Sequence, residues 1–60
     1  MTPALSIVID RYLRAHDMPE TLFGRRAVND PRLVSDLRRG RQVGERVRRR
    51  IELFMRENHA

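Results

Sequence analysis

Arg32, Ser35, Asp36 and Arg39 recur at three- and four-residue intervals, the spacing that lines side chains along one side of a helix. The chemistry open to such a row is recognition by hydrogen bonding. An arginine at the start of a helix can donate two hydrogen bonds to O6 and N7 of a guanine, a contact worth about 1–3 kcal/mol of discrimination. Asp36 can accept from a cytosine amine or orient a neighbouring arginine, and Ser35 suits a phosphate as well as a base. The simpler account of Arg32 is a phosphate clamp or a partner for Asp36 one turn later. Arg25, Arg26, Arg38, Arg39 and Arg41 flank the row and suit phosphate oxygens, contacts that set affinity and carry no sequence information.

The charge points the same way. All thirteen basic residues are arginine, and residues 25–50 hold ten of them against Asp30, Asp36 and Glu45. That block carries +7 in a chain whose total is +5, so each end is slightly acidic. A basic block between near-neutral ends is the footprint of a surface that meets a polyanion, most commonly nucleic acid; the plainer account is a solvated charged face.

Other chemistry finds little support. Ser6 and Ser35 have no histidine at a nucleophile-activating spacing, there is no glycine-rich phosphate loop, and the carboxylates are scattered. His16 and His59 are far apart and lack cysteine or carboxylate company, so no metal site and no cofactor is expected; His16 falls on the apolar side of its helix and is expected to be partly buried. Sixty residues leave little room for a substrate cleft, so an enzyme is not expected. The chain has no cysteine, and helix packing must therefore supply the stability. Ile7–Ile9, with Ala4 and Leu5 just before, is too short to span a membrane and no basic stretch precedes it, which implies a cytoplasmic protein associated with the nucleoid.

The elements that must position the arginines are four helices, expected at 3–16, 19–28, 31–39 and 44–57 of a single compact all-α domain. Thr2-Pro3 is a helix-start pair, and Leu5, Val8, Ile9, Tyr12 and Leu13 form an apolar stripe behind it. Asp10 and Arg14 are placed for a weak surface pair. Asp17-Met18 breaks the pattern before Pro19, Phe23 and Ala27 share a face, and Gly24 allows another helix to approach closely. Asn29-Asp30-Pro31 supplies a turn, a capping carboxylate and a proline for the first helical position. In the third helix Val34 and Leu37 point to the core, and Gly40 ends it as the left-handed residue. Val47, Ile51 and Phe54 define the fourth. The run Arg46, Arg48, Arg49 and Arg50 cannot all face one way on that helix, so only some of it can reach a single ligand.

Two short helices joined by a tight turn, the second with an arginine-bearing face, can enter a major groove about 12 Å wide. The segment from Leu22-Phe23-Gly24-Arg25-Arg26 through Asn29-Asp30-Pro31-Arg32 to Leu37-Arg38-Arg39-Gly40-Arg41 resembles the lambda-repressor-like (Cro/C1, XRE-type) helix-turn-helix family, and within it a group of short bacterial and phage-associated members. The resemblance covers residues 19–41. It implies that the third helix is the recognition helix, with Pro31, Arg32, Leu33 and Asp36 on the groove face, Ala27 at the crossing of the second and third helices, and Val34 and Leu37 buried. The turn departs from the family, whose usual small or glycine-containing turn is replaced here by Asn29-Asp30-Pro31. Members bind as two-fold dimers, and Ile7 and Leu53, which lie off their apolar stripes, are the candidate dimer contacts. The expected function is double-stranded DNA binding in transcription regulation. The alternative is a protein-interaction adaptor whose arginine-rich face binds an acidic partner or the transcription machinery. RNA binding by base stacking is disfavoured, because Tyr12, Phe23 and Phe54 all sit on core stripes.

Overall fold

In the computed structural model, which describes residues 4–58, the first apolar stripe forms α1, Leu5–His16, and buries Ile9, Tyr12 and Leu13. Ala4 is the extended residue before it, so the helix starts two residues later than expected; Thr2 and Pro3 lie outside the described residues. Asp17 ends α1 in the left-handed region at φ 49°. The amide of Met18 reaches back to the Leu13 carbonyl at 3.0 Å, the closure that satisfies the carbonyls a helix end leaves open.

α2, Glu20–Val28, follows Pro19, which is its extended cap and not its first helical residue. It ends at Asn29, also left-handed at φ 58°, and the Asp30 amide then donates to the Gly24 carbonyl at 3.0 Å. The turn thus crosses directly over α2 at Gly24, where a Cβ would lie 2.0 Å from the Asp30 carbonyl oxygen. The close approach expected at Gly24 is made by this turn and by Leu33.

α3 is shorter than expected, Leu33–Arg38. The expected Asp30 cap is displaced: its Oδ1 accepts from the Arg32 amide at 2.9 Å, which with the Leu33 amide on the Asp30 carbonyl at 3.2 Å closes a tight turn over Pro31 and Arg32, and the residue that precedes the helix is Arg32, with no side-chain cap. Gly40 ends the element with φ 105°, and the Arg41 amide donates to the Asp36 carbonyl at 2.9 Å. α4, Glu45–Glu57, begins after the extended Gly44.

The four helices form one compact all-α body, with α2 packed against both α3 and α4, and α1 against α3. Ile9, Phe23, Leu33, Val34 and Ile51 are fully buried. Phe23 meets Tyr12 edge-on at 5.5 Å and Phe54 at 5.3 Å between ring centroids, which ties three helices at one ring. Tyr12 donates its hydroxyl to the Asn58 carbonyl at 2.5 Å, fastening the end of α4 to α1. His16 is half-buried and stacks on Tyr12 at 4.0 Å.

Candidate nucleic-acid interface

The outward surface of α3 is built by its neighbours as much as by its own residues. Leu33 and Val34 are both 0 % exposed and Leu37 packs against the core beside them. Leu33 was expected on the groove face, and the structure corrects this. Because helical geometry begins only at Leu33, after the turn has crossed Gly24, its side chain is directed down against α2, with its Cβ 3.2 Å from where a Gly24 Cβ would stand. Leu33 cannot read a base.

Of the other expected base-facing residues, Pro31 and Arg32 are exposed while Ser35 and Asp36 are half-buried. Asp36 does not partner Arg32. Its Oδ2 takes Arg41 Nη1 at 3.3 Å, and the same nitrogen donates to Asp30 Oδ2 at 2.8 Å. Arg41 therefore closes a clamp between the start of α3 and its end. The side-chain hydrogen bond from Arg41, and then the amide of Arg32, hold the Asp30 carboxyl below its ordinary value, and Asp30 in turn raises the Arg41 guanidinium.

Arg38 is committed in the same manner. Its Nη2 donates to Asp10 Oδ1 at 2.6 Å and its Nη1 to Glu20 Oε2, so this one side chain joins α1, α2 and α3. Its hydrogen bond to Asp10 is the first cause that raises its guanidinium. Asp10 is thus spent on Arg38 and not on Arg14 as expected. Two of the five arginines expected at phosphates, Arg38 and Arg41, are consequently neutralised by four carboxylates. A third, Arg26, is exposed but lines a shallow groove with Tyr12, His16, Phe54 and Glu57, on the flank of α2 turned toward α4.

What remains near α3 is Arg25, Arg32 and Arg39, all exposed and without an ion-pair partner among the described residues. Arg32 and Arg39 stand at the two ends of α3, one just before its first residue and one just after its last. Asp10 and Glu20 are the residues that sequence reasoning missed. Their partnership with Arg38 spans 28 and 18 residues, and no local spacing announces it.

The Asp30 clamp has a testable pH dependence. A carboxyl whose folded value is depressed contributes stability above its unfolded value, about 3.9, and loses it as the pH falls through the folded value. The Asp30 carboxyl is expected to titrate below an unpaired aspartate by NMR, and Arg41→Gln to move it upward. An unchanged midpoint in that variant would show that Arg41 does not hold Asp30 in solution.

No group of three metal-ligating side chains occurs among the described residues, and His59 lies outside them. Among the described residues no helix is long and apolar enough to cross a membrane. Comparison with known proteins returned no matching family model, no matching curated protein and no matching solved structure, so charge placement and helix geometry carry the functional argument.

Proposed function

We propose that the protein binds double-stranded DNA as a nucleoid-associated regulator of transcription, with α2, the turn at 29–32 and α3 acting as a helix-turn-helix whose α3 lies in the major groove. The observation that carries this reading is the state of Arg32 and Arg39. Both are exposed and unpaired among the described residues, at the two ends of α3, while Leu33 and Val34 between them are sealed in the core. Arg32 is the base reader; Arg25 is the phosphate contact from α2. Ile7 and Leu53, 49 % and 51 % exposed, are the surfaces through which a two-fold dimer would double the contact.

The four carboxylates on Arg38 and Arg41 favour a second reading, an adaptor for another protein, because a surface of alternating sign suits a protein partner better than a polyanion.

Binding to random and genomic duplex across a salt series separates the two. Phosphate contacts give a steep loss of affinity with salt, whereas an adaptor ignores naked DNA. Arg32→Ala is expected to relax base preference at one position by about 1–3 kcal/mol. Arg25→Ala should weaken all sequences alike and flatten the salt slope by about one. Identical behaviour of the two variants would remove the division of roles.

A further inference from the structure

The strongest uncompensated charge in the molecule is not on α3. Arg46, Arg48, Arg49 and Arg50, all exposed, fall within five residues of α4. Among the described residues the one carboxylate ion-paired with them is Glu45, whose pair with Arg49 spans 3.6 Å between side chains that are each 78 % exposed. Such a pair neutralises little. Arg46, Arg48 and Arg50 have no ion-pair partner among the described residues. Arg38 and Arg41, by contrast, are each held by two carboxylates.

Direction divides this run. Taking the buried Ile51 as the inward reference, Arg48 lies about 60° to one side, Arg49 about 160°, and Arg50 and Arg46 about 100° and 140° to the other side. Arg48 lines a cleft with Leu37, Arg41, Gln42 and Val43, next to the end of α3, and is placed to touch whatever lies along that helix. Arg46, Arg49 and Arg50 are turned outward or to the opposite flank. Both α3 and α4 direct their apolar sides into one core and pack on α2, so their outer faces look in different directions.

We infer that the outer face of the first half of α4, formed by Arg46, Arg49 and Arg50, is a second, sequence-independent surface for the phosphate backbone of duplex DNA, so that one chain joins two duplexes. The partner follows from charge and from what the face lacks. Of the apolar residues of α4, Val47, Ile51, Phe54 and Met55 are turned into the protein and only Leu53 is exposed, so the helix has no apolar side to sink into a lipid surface. The one exposed apolar side chain of this face, Leu53, lines a shallow groove with Arg49, Glu52 and Arg56, and a single half-exposed leucine among charged side chains is too little for the buried anchor on which protein interfaces depend. A run of guanidinium groups spread around a helix fits phosphates, which are recognised one by one without a shaped pocket.

The inference rests on the DNA-binding reading, and a capture assay distinguishes the two. Duplex fixed to beads is mixed with the full chain and a second, labelled duplex of unrelated sequence, while affinity for a single duplex and the oligomeric state by sedimentation are measured in parallel. Arg46→Gln combined with Arg50→Gln is expected to reduce captured duplex by about tenfold while changing single-duplex affinity by less than about threefold, as expected for lost phosphate contacts at a site separate from α3. Both arginines are exposed, and circular dichroism checks that the variant folds. Failure of the native chain to bind any duplex removes the DNA-binding reading itself. Binding without capture overturns only the second surface, and so does capture that survives in the double variant, since bridging would then come from paired copies each holding one duplex.

Discussion

Gly24→Ala is expected to unfold much of the protein at physiological temperature. The added methyl carbon would lie 2.0 Å from the Asp30 carbonyl oxygen, 3.1 Å from its carbon and 3.2 Å from Leu33 Cβ. Two effects compete. Alanine in place of a helical glycine gains up to about 1 kcal/mol of propensity. Against it stands a clash with backbone, which cannot swing aside as a side-chain tip does. Relief requires lifting the turn off α2, and the turn is held by the Asp30 amide on Gly24, the Asp30 carboxylate on the Arg32 amide and the Arg41 clamp. Overpacking alone typically costs about 1–3 kcal/mol and more where backbone must move, so the clash wins. A domain of this size has only about 3–5 kcal/mol to lose. Gly44→Ala is the control, because nothing lies within 4 Å of a Cβ there. Thermal melts followed by circular dichroism should show a large drop for Gly24→Ala and a small change for Gly44→Ala. A melting point for Gly24→Ala at or above that of the native chain would mean that the turn does not cross α2 at this point.

The same turn explains how much of the protein could be read from its sequence. Local signals survived: the turn at Asn29-Asp30-Pro31, Gly40 as a left-handed terminator, Gly24 as a point of close approach and the stripes that became the core all depend on residues within a turn or two of each other. The start of α3 did not survive, since a proline after a cap suits a first helical position yet here continues a turn. Leu33 followed from that error. Its spacing to Val34 and Leu37 places it on their stripe, and that pattern was the signal available; the family resemblance alone had turned it outward. The fate of the arginines was the least legible. Thirteen identical side chains differ in the fold only by which carboxylate each meets, and Asp10, Glu20 and Asp30 reach Arg38 and Arg41 from 28, 18 and 11 residues away. A basic block in sequence therefore became a partly compensated patch around α3, where Arg38 and Arg41 are paired and, among the described residues, Arg25, Arg32 and Arg39 are not, and a less compensated one on α4.

Phe23→Ala is expected to be at least as damaging as Gly24→Ala, by a different route. The ring is fully buried and sits edge-on to both Tyr12 and Phe54, so its removal leaves a cavity where α1, α2 and α4 meet. Phenylalanine truncation of this kind costs about 3–5 kcal/mol, which is the whole stability expected of so small a domain. Phe54 is only half-buried, and Phe54→Ala should cost less. The milder Phe23→Leu keeps most of the volume and is expected to leave a partly folded population, which turns the core into a reporter on the surface. A ligand that binds only the folded state adds about 2.7 kcal/mol at a concentration one hundred times its Kd. If α3 and the arginines at its ends bind duplex as proposed, saturating duplex at low salt should restore the helical signal of Phe23→Leu, and Arg32→Ala in the same background should diminish the rescue. Arg32 is exposed, and the melt of the same double variant without duplex measures any direct effect of its side chain on the fold. Rescue of equal size with and without Arg32 would locate the DNA contact elsewhere, and α4 would then be the first surface to test.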